Sequence, residues 1–281
     1  MTASEAQENG LTLFGKRLAA ALIVFSDQKD AAFNNSLARS KARMQGAKRN
    51  PTHEFHPRYN SRVYMQDAYN TKWTDEEFSR LQAEMNSVLT RVTTLDGKYS
   101  FLDKQLISSE PSIRVQRVFH GTKSFTNGIH TLLREFAPLQ ATDNGYFGAA
   151  CYFTPDLDYA LKFATPTSPQ DEQLKPGAQL LPLDPKRLYH VVLVCDVQYA
   201  NPFPVMDACA FKGSSLAPGH DAHVAVVKFP TDPQAADAVP FQSSSEWRRC
   251  EADVTRRPVA EVAISDISAI IVRAVLVFDA Q

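Results

Sequence analysis

Five short strand-like runs in the later part of the chain constrain its fold more than any other feature. Tyr189–Val197, Ala222–Phe229, Val259–Ile264 and Ala269–Phe278 are apolar and rich in Val and Ile, and Arg114–Phe119 has β-branched residues in partial alternation. Pro-, Gly- and Ser-bearing connections separate them, as expected of β-strands. Few helical patterns lie between them. That favours an α+β domain with a largely antiparallel core over a doubly wound parallel sheet.

The first hundred residues read differently. From residue 11 to about 100 the pattern is mainly helical. Leu18–Phe25 is the longest clean apolar run and is read as one buried stretch of helix. At eight residues it falls short of the roughly 20 that a membrane span needs. Although it follows Lys16 and Arg17, no small-residue cleavage site follows it, so it is not read as a signal peptide. Thr74-Asp75-Glu76-Glu77 is a capping box, and Phe78, Leu81, Met85, Val88, Leu89 and Val92 repeat behind it at helical spacing. Residues 42–62, with Gly46, Pro51 and Pro57, read as loop, and so does Thr165–Pro185 with its five prolines. A boundary near 105–112 divides a helical accessory region, 1–108, from a strand-rich domain, 109–281.

At 281 residues the length fits two small domains or one large one, and 44% hydrophobic with 22% charged residues excludes disordered, collagenous and coiled-coil chains. The net charge of −1 hides an asymmetry. Lys29–Arg62 holds eight Lys/Arg and two Asp/Glu, against 22 basic and 29 acidic residues elsewhere. That segment reads first as solvated helix face and loop. Phe33, Phe55 and Tyr59 are too few and irregular for a base-stacking platform, so nucleic acid is not the favoured partner. The four cysteines (Cys151, Cys195, Cys209, Cys250) form no C-x-x-C pair and read as free thiols of a reducing compartment: cytoplasm, nucleus or a host cytosol after delivery.

Three blocks carry candidate chemistry. His120-Gly121-Thr122 follows directly on a strand, where glycine admits close approach to the backbone. Gly145-Tyr146-Phe147-Gly148 leads into a short aromatic strand, Tyr152-Phe153-Thr154. Pro155–Phe163 then reads as a helix with Tyr159 and Phe163 four apart on one face, a spacing more often found in cores. Together these blocks resemble the ADP-ribosyltransferase family of the H-Y-E type, which includes the poly(ADP-ribose) polymerase catalytic domains and the diphtheria-like toxins. The third motif residue falls on Glu261, in Ala260-Glu261-Val262-Ala263-Ile264-Ser265-Asp266, which looks like the polymerases' late Glu-bearing strand. His220-Asp221-Ala222-His223-Val224 resembles a strand entry of some members. The likeness covers residues 112–281 and implies a split mixed or antiparallel sheet core.

It also implies an enzyme that uses NAD as co-substrate, cleaving the bond between nicotinamide and ribose through an oxocarbenium-like transition state. On that resemblance Gly121 pairs with the nicotinamide carboxamide and Thr122 adds a hydroxyl. Tyr152 and Phe163 stack on the nicotinamide ring, with Tyr159 beside them, and His120 bonds a ribose hydroxyl. Glu261 binds the 2′-hydroxyl and supports the cation. The sequence departs from the polymerase pattern at Ala160, where a serine is frequent, at Phe163, where tyrosine is commoner, and at Cys151, where an aliphatic residue is usual. The expected activity is mono-ADP-ribosylation of a macromolecule, with a protein the favoured acceptor. NAD hydrolysis, poly-transfer and a non-catalytic module of the same fold are the alternatives. Glu246 and Glu251, with Arg248, Arg249, Arg256 and Arg257, lie in a stretch read as a solvated loop. The pairs His53/His56 and His220/His223 lack an H-E-x-x-H pattern, and no metal site is expected.

Overall fold

The computed structural model describes residues 12–13, 16–23, 27–49, 113–133, 136, 145, 147–170, 183–200, 202–205, 211, 216–217, 220–230, 239–240 and 256–280. In chain order its elements are β1 (Thr12–Leu13), β2 (Lys16–Ile23), α1 (Asp27–Arg49), β3 (Arg114–Gly121), α2 (Phe125–Leu133), β4 (Cys151–Phe153), α3 (Leu157–Phe163), β5 (Tyr189–Tyr199), β6 (Pro202–Val205), β7 (Ala222–Pro230), β8 (Val239–Pro240), β9 (Arg256–Ile264) and β10 (Ile270–Asp279). They form an α+β fold of two sheets, ordered β1-β2-β10-β5-β3 and β4-β9-β7-β6, with β8 paired to β7. All pairs are antiparallel except β6 with β7, whose sixteen intervening residues supply the crossover a parallel pair needs.

The near-continuous apolar sequences of β5 and β10 follow from burial on both faces. On one side Val191, Leu193, Cys195 and Val197 of β5 join Ala222, Val224, Val262 and Ile264 of the second sheet in one core, so the two sheets bury a face against each other. On the other side Val192, Val194, Ala274 and Leu276 pack with Leu157, Ala160 and Leu161 of α3. A third cluster, including Phe147, Tyr159, Phe203, Ala225, Val227 and Val259, covers the outer face of the second sheet.

All five runs are strands, within a few residues of their expected bounds. Three expectations are corrected. Leu18–Ile23 is strand, not helix: its Leu/Ala-rich sequence pairs along β10, with Ala274 opposite Ile23 and Leu276 opposite Ala21. An available sheet edge overrides helix propensity here, and residues 16–23 belong to the same sheet as the chain's last strand. Secondly, α1 runs through residues 42–49, read as loop. Gly46 costs a helix interior about 1 kcal/mol relative to Ala, a penalty that the neighbouring Ala, Met, Gln and Lys residues tolerate. Thirdly, Arg256 and Arg257 open β9, paired with Pro230 and Phe229, where a loop was read. The capping-box helix at 74–92 and the expected boundary at 105–112 lie outside the described residues. No helix among the described residues is long and apolar enough to cross a membrane.

A buried ionic cluster fastens α1 to the first sheet. Asp196 lies opposite Arg117 in the β3–β5 ladder and accepts from its Nε at 2.9 Å and from Arg273 Nε at 2.8 Å. Arg273 also donates from Nη1 to Asp30 of α1 at 2.5 Å. The β5–β10 ladder shifts register between Val272 and Ala274, so Arg273 sits at a bulge beside Asp196. Burial works against the Arg273 charge, but the two carboxylates outweigh it and raise its pKa. Removing one member of such a group strands a buried charge at a cost of about 3–5 kcal/mol. Asp196→Ala is therefore expected to lower the urea midpoint by that equivalent, whereas replacing the whole group (Asp30→Leu/Arg117→Met/Asp196→Leu/Arg273→Met) should lose much less.

Candidate functional site

The two sheets meet where Phe119 of β3 and Thr154, just beyond β4, exchange hydrogen bonds (Phe119 N to Thr154 O 2.7 Å, Thr154 N to Phe119 O 3.0 Å). This bridge sets His120 beside Tyr152. The imidazole Nδ1 lies 2.7 Å from the Tyr152 carbonyl. Since a carbonyl only accepts, Nδ1 carries the proton and Nε2 is the acceptor nitrogen in that tautomer. The ring packs edge-on to Phe136 and tilted against Phe153, at centroid distances of 5.2 and 5.8 Å.

The chain then turns into α3. The Thr154 hydroxyl accepts from Asp156 N, and the Asp156 carboxylate caps the helix by accepting from Tyr159 N at 2.9 Å. The last turn of α3 lies directly on Gly121. A β-carbon there would fall 2.2 Å from the Ala160 carbonyl oxygen and 2.8 Å from Ala164 N. The space that the sequence reading kept for a ligand at this α-carbon is taken by the helix. Glycine is required at 121 so that strand and helix can touch, which brings Phe163 next to the end of β3. Thr122 is buried, and its hydroxyl donates to Ser124 O at 2.8 Å, leaving its oxygen the acceptor role toward any carboxamide. Phe163 is 54% exposed, an apolar ring open to a ligand.

Tyr152 lies opposite Ala263 of β9, two residues from Glu261, so the two side chains share one face of the second sheet. The Tyr152 hydroxyl donates to Gly148 O at 2.6 Å and accepts from Phe147 N at 2.7 Å. That tight loop rests on Gly148, whose φ of 114° suits glycine, and on Gly145, where a β-carbon would sit 2.1 Å from Gly148 O.

Glu261 is partly buried and accepts a 2.7 Å hydrogen bond at Oε2 from the Tyr159 hydroxyl. Burial pushes its carboxyl up to about 7, with the Tyr159 bond pulling the other way. Tyr159 is held edge-on by Phe163 (5.0 Å) and Phe229 (5.4 Å). The aromatic ring that meets Phe163 is therefore that of Tyr159.

His223, one of the candidate metal pair and part of the expected strand entry, lies in β7 and has a different part. It is fully buried, with Nδ1 at 2.6 Å from Phe147 O and Nε2 accepting from Ala217 N at 2.7 Å. Both nitrogens are committed to backbone, so it offers no lone pair to a metal. It supports the loop that holds the Tyr152 hydroxyl. Burial pushes its pKa down to about 4. No group of three or more His, Cys, Asp or Glu among the described residues is placed to hold a metal ion. His53, His56, Tyr146, Glu246, Glu251, Arg248 and Arg249 lie outside the described residues. The thiols of Cys151 and Cys195 are both buried. No protein-family model and no curated protein matches the chain.

Two predictions follow from the packing and the charges. Gly121→Ala forces a side chain onto the Ala160 carbonyl and should destabilise by about 3 kcal/mol, the upper end for overpacking, measured by urea unfolding. His223 and Glu261 also give opposite slopes of stability against pH. His223, about 4 when folded against 6.5 unfolded, loses its contribution as pH falls through that window. Glu261, about 7 folded against 4.5 unfolded, costs stability as pH rises from 4.5 through 7. Each contribution is on the order of 3 kcal/mol, and between pH 4.5 and 6.5 the two oppose each other. Glu261→Gln should leave stability rising with pH across this range and raise the melting temperature at pH 7, as followed by thermal melts.

Proposed function

We propose that the chain is an NAD-dependent mono-ADP-ribosyltransferase of the H-Y-E type that transfers ADP-ribose to a macromolecular acceptor, with a protein favoured. What carries the reading is one junction. There His120 bonds the Tyr152 backbone, Phe163 is presented beside Gly121, and Glu261 shares a face with Tyr152. Two largely antiparallel sheets joined at that junction, with α3 laid across it, agree with the split core the family resemblance implies.

The proposed chemistry follows from the side chains. The exposed Phe163 ring and the tethered Tyr152 ring supply stacking surfaces for nicotinamide, worth about 0.5–1.5 kcal/mol per pair beyond buried area. His120, with Nδ1 committed to Tyr152 O, offers Nε2 to a ribose hydroxyl. The glycosidic C–N bond breaks with its electron pair leaving on nicotinamide, and positive charge develops on the ribose. The Glu261 carboxylate stabilises that charge and holds the 2′-hydroxyl. A nucleophile of the acceptor then forms the new bond at the same carbon, and its proton passes to solvent or to Glu261.

The test is incubation with NAD labelled in its adenine half, in a cell lysate. Label on protein and free nicotinamide are expected, with Glu261→Gln reducing both about 10²–10³-fold, as for loss of one electrostatic contact to a transition state. The rate should rise with pH through about 7, as Glu261 loses its proton. Nicotinamide release without labelled acceptor would make the protein an NAD glycohydrolase. No release at any pH between 6 and 9 would reduce it to a binding module.

A further inference from the structure

Among the described residues, Glu261 has one titratable side chain bonded to it. That side chain is Tyr159, which comes from α3, an element of the other side of the junction. The strand residue opposite Glu261 on β7 is Ala225, and its same-face neighbours on β9 are Val259 and Ala263. On the β4 side the nearest ring on this face is Tyr152, whose hydroxyl is occupied by Gly148 and Phe147. Asp156, the cap of α3, acts on Tyr159 and not on Glu261 directly.

Tyr159 is suited to be a fixed donor. Its ring is buried and clamped edge-on between Phe163 and Phe229. Its backbone N–H is tied to Asp156. Burial and the neighbouring carboxylate push its hydroxyl pKa far above the ordinary tyrosine range, so it keeps its proton through the range in which Glu261 titrates and can donate to the carboxylate throughout. The clamp also couples it to the exposed Phe163, so the ring offered to a ligand and the carboxylate are positioned by the same side chain.

We propose that Tyr159 is the positioning residue of Glu261: its hydroxyl, donated to Oε2 from a ring clamped between Phe163 and Phe229, fixes one carboxylate orientation. This assigns Tyr159 to the carboxylate, whereas the sequence resemblance put it beside the nicotinamide ring. The consequence for catalysis rests on the proposed transferase reading. The bond itself does not.

Tyr159→Phe keeps the ring between Phe163 and Phe229 and removes only the hydroxyl. Glu261 is followed by NMR of the carboxyl carbon in protein labelled at glutamate, assigned with Glu261→Gln, and NAD cleavage is measured over the same pH range. With the donor removed, the Glu261 midpoint is expected to move alkaline by about one pH unit, the equivalent of a lost hydrogen bond to a charged group. The rising limb of NAD cleavage should move by the same amount. A merely structural hydroxyl would lower stability without moving either midpoint, and an unmoved Glu261 midpoint overturns the inference. A moved Glu261 midpoint in a protein that cleaves no NAD upholds the positioning role and defeats the transferase reading instead. A second measurement needs no substitution: in the unaltered protein the hydroxyl-bearing ring carbon of Tyr159 should titrate together with Glu261. If that signal ignores the Glu261 transition, the inference fails, whether or not the variant folds.

Discussion

The pair of hydrogen bonds between Phe119 and Thr154 is the contact on which the candidate site depends. It is a short bridge between strands of different sheets, and the residues on either side inherit their places from it. His120 follows Phe119 and so reaches the Tyr152 carbonyl. Thr154 precedes the Asp156 cap, so α3 starts immediately and turns back across the end of β3. Gly121 completes the arrangement, because only a residue without a β-carbon lets the last turn of α3 rest on the strand. Burial on both faces of β5 and β10 makes the first sheet a rigid base for this junction.

The polar groups buried around the site are satisfied in different ways. His223 is neutral and spends both nitrogens on backbone partners, which fixes the loop carrying the Tyr152 hydroxyl. Glu261 keeps a proton up to about neutral pH and has a single tyrosine bonded to it among the described residues. Arg273 stays charged between two carboxylates. The first and third arrangements serve rigidity. The carboxyl is poised near neutrality, and on the proposed reading that is where a group meeting a developing cation belongs. The basic segment that stands out in the composition begins in α1, which Asp30 and Lys29 fasten to the body through Arg273 and the Leu132 carbonyl.

Strands were the most legible part of the chain. Val- and Ile-rich runs buried on both faces leave a signal that no loop or amphipathic helix imitates, and all five runs emerge as strands. Lys16–Ile23 was illegible because alanine and leucine suit a helix, while the free edge of β10 lies more than two hundred residues away. Of the site, His120, Tyr152 and Glu261 were found through motif order, not through any local physical signature. His223 was missed as a support, since a pair of histidines with two residues between them was weighed as metal ligands. Its partners, Phe147 and Ala217, are set by loop geometry. Tyr159 looked like core by its helical spacing, and it is core, but its hydroxyl finds a carboxylate 102 residues further on.

Local pattern was enough to establish an α+β chain, the places of its main strands and the short helix ending at Phe163. Periodicity and turn chemistry are properties of neighbouring residues, so they are written in the sequence. Which edge strand completes the first sheet, why residue 121 must be glycine, and which side chain holds Glu261 were decided by folding. Each depends on atoms that are distant in the chain and become neighbours only when two sheets and a helix share one core. The proton affinity of Glu261 belongs to the same class: an ordinary glutamate in the sequence, pushed up to about 7 by the burial that the second sheet and α3 impose together.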